Sequence, residues 1–263
     1  MFMRLVQVRV REGFLPAMVR VYSRVITPAL ASAAGCRYAG FLQSVHHSDE
    51  CLSLTVWGSE AEANAYERSG LFSSLLDQTR PFHTESSEMR LQLTDDLKLE
   101  YLPVPDAPVV GSYPVTASDV SSSDLEVPSR TLWVRVVSLK VRPGKLEEFK
   151  TLYAEKAIPF LRGLKGCIYV YLLEKKESPH EVLSVTGWDS KENADRYEHD
   201  GVFDHLLDSQ KALLSELYQL KRDREKGGAG EMVTSDDVSV DYYTVLVEES
   251  FGDHPADRSR NDS

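Results

Sequence analysis

Two stretches of this chain are one stretch written twice. Residues 6–82 lie over residues 137–213 without a gap at an offset of 131, with 26 identities in 77 positions. The kinds of residue that coincide matter more than their number. Gly13 meets Gly144, Tyr22 meets Tyr153, Pro28 meets Pro159, Gly35-Cys36 meets Gly166-Cys167, and Trp57 meets Trp188. The register continues through Tyr66-Glu67 and Tyr197-Glu198, Gly70-x-Phe72 and Gly201-x-Phe203, then Leu75-Leu76-Asp77 and Leu206-Leu207-Asp208. Chance does not hold glycine, proline, tryptophan and tyrosine in one register, so the chain is a tandem duplication. Its 263 residues are enough for two domains with a core each.

Between the copies, residues 103–130 change character. Five of the twelve prolines (Pro103, Pro105, Pro108, Pro114, Pro128) and the Ser121-Ser122-Ser123 run fall there. Such a segment favours extended backbone and has little to pack; fully extended it would span on the order of 80 Å. The reading is therefore a first unit over 1–102, a Pro/Ser-rich linker over 103–130, a second unit over 131–250 and a frayed polar tail over 251–263.

Within a unit, Leu5, Gln7 and Arg9 alternate with Val6, Val8 and Val10, which is the period of a strand; Trp133–Val141 repeats it. Gly13 or Gly144 turns into a helix, clearest in copy two, where Leu146, Phe149, Leu152-Tyr153 and Ile158 recur at helical spacing. Pro28 and Pro159 should kink or end that helix, and Gly35 and Gly166 fit its C-terminal stop. A strand, a polar hairpin loop and a third strand ending at Trp57 or Trp188 follow. Ser59 with Glu62 reads as a capping box before a second helix; Ser190 keeps the cap, but Asn193 replaces its partner. A final strand is expected at Leu97–Leu102 in copy one and Val238–Glu248 in copy two. The order βαββαβ is the ferredoxin-like plan, an α+β fold. Its helices cover one sheet face and leave the other bare. Two bare apolar faces in one chain are expected to pack on each other as an intramolecular α/β-barrel pseudo-dimer.

A formal charge of −11 argues against a nucleic-acid surface, which needs clustered Lys and Arg. No run approaches the ~18 apolar residues of a membrane helix. The N-terminus enters strand pattern directly, without signal-peptide regions. Three cysteines make neither a disulfide framework nor a multi-cysteine zinc site, and a cytoplasmic location is expected. The seven histidines show no metal-binding spacing and no two-copy equivalence, so no metal site is expected. No glycine fingerprint for a nucleotide follows a strand.

The segments Leu52–Ser59 and Leu183–Ser190, each followed by an Ala/Glu-rich helix and Gly-x-Phe, resemble the third strand and turn of the antibiotic-biosynthesis-monooxygenase-like, dimeric α/β-barrel family. With the first strand and kinked helix, the resemblance covers roughly residues 4–102 and 132–248. It implies the ferredoxin-like barrel, and oxygenation of a small planar hydrophobic phenol or quinol with no bound cofactor, the electron-rich substrate itself activating oxygen. Haem degraders of the family carry an Asn in the first strand, a Trp ending the third and an axial His in the second-helix region. The Trp matches Trp57 and Trp188, but the Asn position falls at Val6 and Val137 and the His position at Leu76 and Leu207. His205 lies two residues short of that place, opposite Ser74 in copy one. The Trp without its Asn and His partners leaves as alternatives a protein that binds haem or another planar ligand without turning it over, and a non-catalytic barrel scaffold.

Alternation in the third strand puts Ser53, Thr55 and Trp57 on one face, as it does Ser184, Thr186 and Trp188. Hydroxyls leading to an indole suit the wall of a pocket for a flat aromatic ligand, and they equally suit an indole that plugs the end of the helix–sheet layer. Tyr66 and Tyr197, nine residues on, would place a phenol near a substrate hydroxyl for proton transfer, or serve as helix tyrosines with buried rings. Phe72, Phe203 and His205 complete the candidate set.

Overall fold

The computed structural model describes residues 1–93, 99–105, 109–118, 133–175, 178, 180–214 and 238–251. The chain divides into two compact units, Arg4–Gly111 with Leu246–Ser263 and Met1–Met3 with Ser112–Val245. They are called here the copy-one and copy-two units.

The copy-one unit is built from β1 (Phe2–Arg9), α1 (Leu15–Val21), α2 (Thr27–Ala31), β2 (Cys36–Ser44), β3 (Glu50–Trp57), α3 (Glu60–Arg68) and α4 (Leu71–Thr79). Its strands run in the order β1-β3-β2, with β2 and β3 antiparallel and Leu42 opposite Leu52. Beyond them, β4 (Glu85–Leu93) and β5 (Leu99–Pro105) pair only with each other as a two-stranded sheet.

Between α1 and α2 the backbone widens into a π turn at Tyr22–Ile26. The N–H of Thr27 donates five residues back, to the Tyr22 carbonyl. Pro28 has no N–H to give, and its ring would crowd the carbonyl four residues before it in a regular helix. Widening the preceding turn lets the helix run on to Ala31 rather than ending at the proline. Copy two repeats the device at Tyr153–Ala157, ahead of Pro159.

Ser59 caps α3 as the sequence suggests, with the Glu62 carboxylate on the Ser59 hydroxyl. Glu62 N–H donates to Ser59 Oγ at 3.3 Å, and that hydroxyl donates to the Glu62 carboxylate at 2.9 Å. Gly35 makes room for this carboxylate: its φ is +81°, and a β-carbon there would lie 2.2 Å from Glu62 Cδ. In copy two Asn193 N–H still reaches Ser190 Oγ at 3.4 Å, while its amide turns to Asp189 at 2.7 Å.

The copy-two unit repeats the plan with β7 (Trp133–Lys140), α5 (Leu146–Leu152), α6 (Ile158–Arg162), β8 (Cys167–Glu174), β9 (Glu181–Trp188), α7 (Lys191–His199) and α8 (Val202–Gln210). β9 lies between β7 and β8, with Val137 and Leu172 both opposite Ser184. Two more strands, β10 (Val238–Ser250) and β6 (Val109–Ser118), flank this sheet. β10 pairs with β7 through Val240 and Val137, and β6 with β8 through Val115 and Leu173. In the copy-one unit, where the end of β10 belongs, Phe251 N–H donates to the Arg37 carbonyl at 2.7 Å and Tyr38 donates to Glu248 at 3.1 Å.

The expected final strand of copy two is therefore present, but that of copy one is misplaced. Adding 131 to 109–118 gives 240–249, inside β10, so β6 is the counterpart; Leu99–Leu102 belongs to β5 of the two-stranded sheet, and residues 97–98 lie outside the described residues. The segment read as linker holds a strand because its prolines bias it toward extended backbone, which a sheet can use where proline's missing N–H does not interrupt a ladder. Pro103–Pro105, at the start of that linker, belongs to β5, while residues 106–108 and 119–130, and the tail beyond Phe251, lie outside the described residues. No helix of the described residues is long and apolar enough to cross a membrane.

Candidate functional site

A cavity of about 50 Å³ opens in the copy-one unit between the sheet and its helices. β1 supplies Arg4, Val6 and Val8; the first helix and its π turn supply Met18, Tyr22 and Ile26; β3 supplies Ser53 and Thr55; α3 and α4 supply Tyr66, Phe72 and Leu76. These contributions follow from local structure. Period-two alternation sends Ser53 and Thr55 to one side of β3, and helical spacing brings Tyr66 and Phe72 together across the Gly70 turn, with ring centroids 5.9 Å apart.

Four candidates from the sequence, Ser53, Thr55, Tyr66 and Phe72, line this cavity. Trp57 does not. Its indole is fully buried, donates to Thr55 Oγ1 at 2.9 Å and lies behind Tyr66, with ring centroids 4.9 Å apart. The tryptophan thus fixes two wall residues without forming the wall. In copy two the same group recurs. Trp188 donates to Thr186 at 3.0 Å, Tyr197 stacks on the indole at 5.3 Å, Phe203 meets Tyr197 edge-on at 5.8 Å, and Ser184 bonds Tyr153 at 2.6 Å. His205 is exposed on α8, whereas Ser184, Thr186, Trp188 and Tyr197 are buried.

Arg4 is the residue that sequence reasoning passed over. Its side chain is 2 % exposed and gives Glu67 a hydrogen bond of 2.8 Å. A second contact reaches the Ala63 carbonyl at 3.5 Å, the guanidinium lies 5.5 Å from the Phe72 centroid, and Nε has no partner. The signal was available: the offset of 131 carries Arg4 onto Arg135, two residues upstream of the aligned block. Arg135 is also buried and sits 3.9 Å from the Phe203 centroid.

The two copies differ in how open this group is. Tyr66 and Leu76 are half-buried, whereas Tyr197 and Leu207 are buried. Where copy one has Met18 and Thr79, copy two has the larger Phe149 and Gln210, both buried.

Burial sets the protonation of the aromatic alcohols. It pushes the Tyr66 phenol up, helped by Cys36 and opposed by the Arg4 charge. Burial also raises Tyr22, against the hydrogen bond from Ser53, and raises Tyr153 against that from Ser184. The Cys36 thiol is pushed up to about 12 by burial. Tyr22 donates to the Gly40 carbonyl at 3.1 Å, so its 2.9 Å bond with Ser53 uses the serine proton and leaves Ser53 Oγ as an acceptor beside the cavity.

A pH dependence follows. The unfolded chain ionises its tyrosines above pH about 10, while burial keeps folded Tyr22 and Tyr153 neutral there. Their contribution to stability is complete below that pH. It is lost as pH rises toward the folded values, by up to about 1.4 kcal/mol per pH unit for each group. Tm measured in steps from neutral pH to about 11 is expected to fall over the alkaline steps, and Tyr22→Phe to make that fall shallower.

Haem does not fit these residues. The positions matching the Asn and axial His of haem degraders, Val6 and Leu76, do line the cavity, but neither side chain can ligate iron or donate a hydrogen bond. The cavity is also far smaller than a porphyrin.

A family model described as antibiotic biosynthesis monooxygenase matches residues 1–77 and 133–207. No curated protein matches the chain. Among solved structures, two proteins provisionally named monooxygenases share the fold. The one from Lactobacillus acidophilus NCFM is 8% identical, with 95% of this chain and 96% of that chain covered and a TM-score of 0.65. The one from Fusobacterium nucleatum subsp. nucleatum is also 8% identical, with 95% and 94% covered and a TM-score of 0.63. An anthrone oxidase-like protein is 15% identical over 97% of this chain and 95% of that chain, at a TM-score of 0.56.

Proposed function

Because the chain belongs to the antibiotic biosynthesis monooxygenase family, we propose that it oxygenates a small planar phenol or quinol in the copy-one cavity. The observation that carries this reading is an apolar cavity into which a few polar groups converge, Arg4, Ser53, Thr55 and Tyr66. At about 50 Å³ it is smaller than the ~150 Å³ that holds benzene in an apolar core. The half-buried Phe72 and Leu76 are the groups whose outward movement would admit a ring.

For a phenol whose para carbon carries a hydrogen, the reaction takes dioxygen as the second substrate and balances without an external reductant. A phenolate passes one electron to dioxygen, and the resulting radical and superoxide join at the ring carbon para to the oxygen, forming a C–O bond. Loss of the hydrogen from that carbon and cleavage of the O–O bond release water and leave a quinone: one phenol and one dioxygen give one quinone and one water. Tyr66, held neutral by burial, serves as a hydrogen-bond donor to the developing oxyanion rather than as a base. Phe72 and Phe41 supply apolar surface for the ring. Trp57 holds Tyr66 and Thr55 in place.

Oxygen uptake with a panel of phenols and quinols tests the reading. Tyr66→Phe is expected to lower kcat about tenfold, and Tyr197→Phe to change it less than about twofold, because the copy-two tyrosine is buried. No uptake with any member of the panel, or equal losses from the two variants, would remove the copy-one assignment.

A further inference from the structure

We propose that the copy-one cavity takes its aromatic ligand as the phenolate anion, with the Arg4 guanidinium as the anion-holding group and Glu67 as the resident carboxylate that the ligand replaces. The proposal deepens the oxygenase reading and rests on it for the ligand's aromatic character. Its own footing is the state of Arg4. A guanidinium 98% removed from solvent has lost its hydration and needs compensating partners. Among the described residues Arg4 has incomplete ones: one terminal nitrogen on Glu67 at 2.8 Å, a long contact of 3.5 Å to the Ala63 carbonyl, and Nε with none. The carboxylate that balances it is 52% exposed, so it can return to water at little cost. A buried cation with an unspent donor, beside an apolar cavity and opposite a counterion at the solvent edge, is a site prepared for an exchangeable anion.

The other titratable groups around Arg4 do not compete for that role. Tyr66 on α3 and Tyr22 on the first helix are held neutral by burial, as is the Cys36 thiol on β2. Among the described residues, no carboxylate, lysine or histidine lines the cavity. No wall residue can therefore strip a proton from a neutral phenol, whereas Arg4 can lower the acidity threshold of a bound one. The Phe72 ring beneath the guanidinium at 5.5 Å keeps the surroundings of the charge apolar.

Para-nitrophenol reports the answer directly, because its phenol and phenolate absorb at different wavelengths. Titrated into the full chain at a pH where the free dye is mostly neutral, it should bind with the phenolate spectrum. Arg4→Met should weaken binding at least about tenfold, and Arg4→Lys by less. Since Arg4→Met could disturb folding, Glu67→Gln provides the second arm. It alters a half-exposed side chain and should tighten binding about threefold by removing the competing carboxylate. The neutral spectrum in the complex, or unchanged affinity in Glu67→Gln, overturns the anion assignment while leaving the oxygenase reading to stand on uptake with neutral phenols. Absence of any binding also overturns it, and the oxygen-uptake panel then decides the oxygenase reading separately.

Discussion

Trp57→Ala is expected to destabilise the copy-one unit by about 3–5 kcal/mol, the largest single-residue effect on stability in this site. The indole is fully buried, so its removal leaves a void the size of two fused rings. It also removes the hydrogen bond to Thr55 at 2.9 Å and the ring against which Tyr66 packs at 4.9 Å. Trp57→Phe keeps most of that packing and loses the hydrogen bond, at about 1 kcal/mol. The indole stands behind the wall, so Trp57→Phe is expected to leave ligand affinity within about threefold, by analogy with substitutions that spare direct contacts. Urea denaturation and ligand titration on the two variants check both halves. If Trp57→Phe abolishes binding while stability falls by less than about 1 kcal/mol, the tryptophan touches the ligand and the wall has been misassigned.

The largest expected effect on rate is at Arg4. Arg4→Met should lower kcat/KM for phenol oxygenation about 100-fold, the scale of losing one preorganised group that meets developing negative charge. The guanidinium faces two such charges in sequence, the phenolate and the superoxide formed from dioxygen. It is worth most there because the surrounding wall is apolar and water is scarce. Arg4→Lys keeps the charge but cannot reproduce the planar fork, so an intermediate loss is expected. Raising the pH should restore part of the Arg4→Met rate, because more substrate then arrives already ionised. A purely structural Arg4, pinning α3 to β1, would lower stability and rate together and show no such recovery with pH.

Much of this architecture was legible before any coordinates. The duplicated register pointed to two units, and period-two and helical patterns placed β1 to β3, the helices and the Ser59 cap, though the first helix of each unit ends at Ala31 and Arg162, short of the glycines read as its stop. What escaped has physical causes. β6 and β10 share one identity over 109–118 and 240–249, Val109 with Val240, so the copy-one strand hid inside a proline-rich span. The π turn at Tyr22 answers to a proline six residues later, and proline alone reads as a helix end. The sequence groups Trp57 with Ser53, Thr55 and Tyr66, but side-chain alternation tells which face a residue shares, not whether it stands in front or behind. Arg4 was passed over although alternation puts it on the Val6–Val8 face and the duplication matches it with Arg135; only the cavity and the α3 carboxylate explain how a charge can be buried there.

The most direct measurement of oxygenase chemistry in the copy-one cavity is turnover of an acidic phenol under isotopically labelled dioxygen, with Arg4→Met as control. The expected result is one labelled oxygen atom in each quinone and one in water, one dioxygen consumed per phenol, and loss of both signals in the variant. Unlabelled quinone, or labelled quinone formed equally well by Arg4→Met, would contradict oxygen insertion at this site.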